Sequence, residues 1–255
     1  MIAAVHQPHY FPWLGFLDKI AKSNCFILGD EMQLADRSNM FRNRFLAQSG
    51  KEKYLGISFE KAHSHYLEIP YNAVKINHAI PWQAEHVSFL KGTYQKALFF
   101  REIWPFISSI YKNEYETVCH VCRETIAMET ELFDISTPIV MQSELDYARG
   151  MSKNALNIAL CKAVNADVYL SGNGARKYND EAMYRQNNIK LIYQQFSYPQ
   201  YPQINTQEFV PNLSALDLLF NCGIKKSREI FWKNVKAAHE LETEMGEFGG
   251  AHSSF

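Results

Sequence analysis

The absences in this sequence narrow the field first. No run approaches the ~18–20 apolar residues that a membrane-spanning helix needs. No basic segment precedes an apolar one at the amino terminus, so no secretory signal is expected and the cytoplasm is the expected location. Cysteine is scarce: five residues, at positions 25, 119, 122, 161 and 222. Odd in number and scattered, they read as buried thiols of a reducing compartment and not as a disulfide framework. Cys119 and Cys122 form a C-x-x-C, but inside a helical pattern and without a second pair, so helix packing is the expected role and no metal site is assigned. An excess of one charge is also missing. The net charge is −1 and the pI about 6.8, which gives no electrostatic footprint for nucleic acid or an anionic membrane. There is no G-x-S-x-G elbow and no Walker A loop.

What remains is ordinary globular material. The length of 255 residues and 47% apolar content suffice for a sizeable core. A single α/β domain over residues 1–240 with a tail at 241–255 is the expectation. Aromatics are plentiful enough to fill that core and still line a sugar or base pocket.

The chain is organised around its opening stretch, IAAVHQPHYFPWLGFLDKIAKSNCFILGDEMQ. Ile2 to Val5 is long enough only for a buried strand. Pro8 and Pro12 fix φ and remove two donors, so His6 to Trp13 is an ordered loop. Leu14, Leu17, Ile20 and Ala21 share one helical face, and Cys25 to Leu28 is a second apolar strand. In a parallel α/β sheet, ligands bind off the carboxyl ends of the strands. His6, Gln7, His9, Tyr10 and Trp13 would then share an edge with Asp30 and Gln33. His6, oriented by Asp30, is the candidate general base, and a satisfied structural histidine is the competing reading.

Residues 40–59 pattern as a hairpin about Gln48-Ser49-Gly50-Lys51. Arg42 and Arg44 lie two apart on one strand face, where they could grip a phosphate or simply face solvent. His63 and His65 read as a polar loop. Pro81 opens a mainly helical insertion running to about residue 135, punctuated by Pro105 and Pro138. Strand–helix alternation then resumes: a strand at 137–141, a helix capped by Ser152, and a strand entering Gly172-Asn173-Gly174. Two glycines there permit positive φ and close backbone approach to an anion, with Tyr178 beyond them. Residues 189–196 form the next strand, followed by a Pro- and Tyr-rich loop in which Tyr201 and Gln203 could bond a polyol. A short helix over 213–220 ends where Gly223 suits the C′ position, and a charged helix follows to about residue 242. Loops 6–13, 172–178 and 197–203 should form one rim with Asp30 and Gln33. Nucleotidylyltransferase-type folds carry H-x-G-H where this chain reads Trp13-Leu14-Gly15-Phe16. The glycine fits and both histidines are missing, so a nucleotide-binding core stays open while adenylyl transfer is unsupported.

HQPHYFPWLGFLDKI, FILGDEMQ, FRNRFLAQSG, PWQAEHVSFLKGTYQKALFF, YLSGNGARKY and YPQYPQ…FVPNLSALDLLFNCG occur in this order. The succession resembles the WbqC-like family over about residues 1–225. The resemblance implies a bacterial protein of surface-polysaccharide assembly, and the motif positions it marks are His6, Gln7, Pro8, Tyr10, Pro12, Trp13, Asp30, Gln33, Gly172, Gly174, Tyr178, Tyr201 and Gln203. The fold expected is a mostly parallel sheet with flanking helices on a nucleotidylyltransferase- or Rossmann-like core, plus the hairpin and the helical insertion. The activity expected is acyl or aminoacyl transfer to a nucleotide-linked amino sugar. The alternatives are an ATP-dependent amide ligase and a non-catalytic nucleotide- or glycan-binding assembly factor. No cofactor is specified, and self-association stays open.

Overall fold

A computed structural model describes residues 1–34, 40–61 and 68–248. His63 and His65 lie outside the described residues, as do residues 249–255.

The apolar run at the start forms β1 (Ile2–His6), one residue longer than its apolar pattern. Helix α1 (Leu14–Ala21) returns the chain to β2 (Cys25–Leu28), which pairs parallel to β1 with Ala3 opposite Cys25. Three further strands complete the sheet: β5 (Ile139–Met141), β6 (Val168–Ser171) and β7 (Lys190–Tyr193). The order is β5-β2-β1-β6-β7, and every pairing is parallel. Counting only these five strands, that is 3-2-1-4-5. The chain therefore winds outward from β1 on one side, then crosses back to β6 on the other. The β1–β6 boundary is a topological switch point, where a crevice opens beyond the carboxyl ends.

Alternation along β1 and β2 divides the core in two. Ala3, Val5, Cys25 and Ile27 face α5 (Lys153–Ala163) and α6 (Glu181–Gln186). Ala4, Phe26 and Leu28 face the larger cluster built from α1 and the helices α2 (Trp82–Tyr94), α3 (Phe100–Ile110), α4 (Val118–Leu132) and α7 (Leu216–Phe248). Helices α2–α4 follow an antiparallel hairpin of β3 (Arg42–Leu46) and β4 (Glu52–Gly56), so hairpin and helices lie between β2 and β5 in the chain. All five cysteines are buried thiols. No helix among the described residues is long and apolar enough to cross a membrane.

Three local expectations need correction. Pro105 lies inside α3 and does not end it. The buried stripe Ile103, Ile107 and Ile110 holds that helix together despite the lost hydrogen bond. Gly172 takes φ −70°, and Gly174 is not among the positive-φ glycines. Their loop is an ordinary short 3₁₀ turn over Asn173–Ala175. The last helix runs on to Phe248, past the end near residue 242 that the charge pattern suggested. The chain break expected at Gly223 is present: its φ of 73° interrupts α7.

Candidate functional site

Beyond the carboxyl ends of β1, β2 and β5 lies a cleft of about 990 Å³, within the size range of small-molecule sites. Its polar lining includes His6 at the end of β1 and Gln7 just after it, Gln33 after β2, Gln142 after β5, and Lys153 and Asn157 from α5.

His6 ends β1 with its ring edge-on to His9 (4.6 Å) and Phe16 (5.2 Å). Its Nδ1 lies 3.0 Å from the Gln7 carbonyl oxygen. A carbonyl only accepts, so Nδ1 carries the proton and Nε2 keeps its lone pair. Burial, and secondarily the nearby Lys19 ammonium, lower the His6 pKa to about 4, so the ring is neutral at pH 7. Lys19 is itself buried; its ammonium donates to the Val5 carbonyl oxygen (2.9 Å), and desolvation lowers its pKa to about 8. His9 is buried, stacks on Phe16, and is held neutral by the same desolvation. Its Nδ1 has no partner among the described residues.

Asp30 does not orient His6. Its carboxylate accepts from the Ser143 amide (3.0 Å), the Ser143 hydroxyl (2.7 Å) and Asn72 Nδ2 (3.3 Å). It is a strut between the end of β2, the 3₁₀ turn Gln142–Glu144 and the turn Tyr71–Ala73.

The remaining expected residues scatter. Tyr10 is buried under the insertion, its hydroxyl between His86 and Tyr111. Trp13 precedes α1 and meets Phe196 and Tyr198. Its ring covers Gly15, where a Cβ would come within 2.2 Å of it, so that glycine has a packing reason of its own. On the hairpin, Arg44 pairs with Glu52 (2.6 Å) and Arg42 stacks over Tyr54 (4.4 Å). Neither lines the cleft: with Arg44 opposite Tyr54 and Arg42 opposite Gly56, Glu52 and Tyr54 are their diagonal neighbours across the hairpin. Gly172, Asn173, Gly174 and the exposed Tyr178 flank the cleft's α5 side, where Asn154 Nδ2 donates to the Tyr178 carbonyl oxygen (3.1 Å), without lining it. Tyr201 and Gln203 belong elsewhere. Gln203 Nε2 and the Tyr94 hydroxyl both donate to the buried Asp217 at 2.9 Å. The loop after β7 therefore satisfies a core carboxylate at the start of α7 and is not part of the rim.

The cleft also uses residues that sequence reading passed over. Gln142 Nε2 donates to the Tyr147 hydroxyl (2.6 Å), which donates to Glu31 Oε2 (2.7 Å). Arg149 pairs with Glu31 at 3.0 Å and lies over the Tyr147 ring. Lys153 opens α5 at a φ of 54°. The signal available for these was the segment Arg149-Gly150-Met151-Ser152-Lys153 before an apolar helix, in which only Ser152 drew attention. No group of three His, Cys, Asp or Glu side chains suited to a metal occurs among the described residues.

The parallel sheet, its winding and the cleft beyond the carboxyl ends of β1, β2 and β5 define a Rossmann-like α/β protein. The model of the WbqC-like protein family matches residues 7–229, and the chain belongs to that family. It is similar to the uncharacterized protein Rv1507c of Mycobacterium tuberculosis, 29% identical over 222 residues, covering 86% of this chain and 93% of that one. No solved structure matches it.

Proposed function

We propose that the protein is an enzyme of bacterial O-antigen or capsular polysaccharide biosynthesis that transfers an acyl or aminoacyl group to a nucleotide-linked amino sugar. The observation carrying this reading is a neutral His6 on the lining of a polar cleft beyond the carboxyl ends of β1, β2 and β5. In the proposed step the sugar amine attacks the donor carbonyl. A C–N bond forms, the bond to the leaving group breaks, and His6 Nε2 takes the amine proton and returns it to the leaving group.

The test incubates the protein with nucleotide-linked amino sugars, acyl and aminoacyl donors and ATP, and reads products by mass. An acylated sugar nucleotide is the expected product, and His6→Ala should lower turnover about 100-fold or more while sugar-nucleotide affinity stays within about threefold. Undiminished turnover in that variant removes His6 from the reaction. Release of AMP or ADP with the product identifies an amide ligase. Binding without product under every donor identifies an assembly factor.

A further inference from the structure

Gln142 is only 2% exposed, lines the cleft, and has one unsatisfied atom, Oε1. Its orientation is fixed by its neighbours. The Glu31 carboxylate can only accept, so the single Tyr147 proton goes to Glu31. Tyr147 must then accept from Gln142, which puts Nε2 toward Tyr147 and leaves Oε1 as the unpartnered acceptor. A buried acceptor without a partner costs stability, and a ligand N–H or O–H would remove that cost.

At the same cleft α5 begins uncapped. The Ser152 side chain makes no capping bond, and the amides of Lys153, Asn154 and Ala155 have no acceptor among the described residues. The exposed Lys153 ammonium has no partner there either, whereas Glu31 is answered by Arg149. The unbalanced charge at this end is positive, and helix amides with an ammonium favour an oxyanion.

We propose that the cleft takes a phosphorylated ligand in two parts: its phosphate at the α5 N-terminus and Lys153, and an N–H or O–H donor on Gln142 Oε1. This rests on the reading of the cleft as a nucleotide-sugar site, with the diphosphate at α5 and a base imide, sugar amine or hydroxyl at Gln142. It moves the anion from Arg42, Arg44 and the Gly172-Asn173-Gly174 loop to α5.

The experiment is calorimetric titration of the full chain with inorganic pyrophosphate and with uridine diphosphate. Lys153→Met should weaken both about tenfold, Lys153→Arg should restore most of the loss, and the effect should shrink with salt. Gln142→Leu should leave pyrophosphate affinity within about twofold and weaken uridine diphosphate about tenfold. Tyr147→Phe frees the amide to turn over; it should likewise weaken only uridine diphosphate, and it serves if Gln142→Leu does not fold. Wild-type protein that fails to bind millimolar pyrophosphate, an unchanged Lys153→Met, or equal losses for both probes in the Gln142 and Tyr147 variants overturns the assignment. Lys153-dependent binding with no transfer product under any donor sinks the transferase reading alone. Transfer with a KM untouched by Lys153→Met sinks this assignment alone.

Discussion

Replacing Asp30 with Ala tests whether that carboxylate is a strut or a chemical group. The side chain is 2% exposed and accepts three hydrogen bonds, two from Ser143 and one from Asn72. Hydrogen bonds to a charged group contribute about 1.5–3 kcal/mol each, but Ser143 is exposed and water can replace part of what is lost. A net cost of about 3 kcal/mol is therefore expected, below the simple sum. In a domain of this size that lowers Tm by about 6–12 °C. Asp30→Asn keeps an acceptor but points an amide N–H at one of the three donors, so about 1–2 kcal/mol is expected for it. Thermal melts and urea titrations of wild type, the two variants and Ser143→Ala measure these values. The Asp30→Ala, Ser143→Ala double variant should fall short of additivity by about 1 kcal/mol, because both singles break the Ser143 hydroxyl bond to Asp30. A Tm within about 2 °C of wild type, with turnover abolished, would refute the strut and return Asp30 to the chemistry.

Two further outcomes are expected. His86 and His6 both have pKa values lowered to about 4 by burial, against 6.5 when unfolded. The unfolded chain then binds more protons between about pH 4 and 6.5, so stability is full above that window and falls as pH drops through it. His86 Nε2–H donates to the Gly56 carbonyl while Nδ1 accepts from Tyr10, so His86→Gln should flatten the fall, read as urea midpoints at pH 7 and pH 5; parallel curves would contradict this. Gly223→Ala should lose about 1–3 kcal/mol, because φ is 73° and the new Cβ would lie 2.5 Å from Phe99 Cδ1; a melt unchanged from wild type would show that α7 can close over the break.

The first half of the sheet was legible because its apolar runs are short and bounded by proline or polar loops. Of the expected site residues, His6, Gln7 and Gln33 line the cleft, at or after the carboxyl ends of β1 and β2, where topology alone puts them. Tyr201 and Gln203 misled because their partner, Asp217, is a carboxylate in a buried helix turn, which a pattern reading places on the surface. Gln142 and Lys153 were invisible for another reason. Gln142 reaches the cleft through β5 docking against β2, a pairing between residues 26 and 139, and Lys153 through α5 packing on β1 and β6, and no local spacing announces either.

That same pairing has a kinetic meaning. Until the hairpin and helices α2–α4 have condensed, β5 is tethered to β2 by a long unstructured loop whose closure carries a large entropic cost. The edge strand that delivers Gln142 should dock late in refolding, so the ligand cleft is assembled only after most of the protein's other contacts exist.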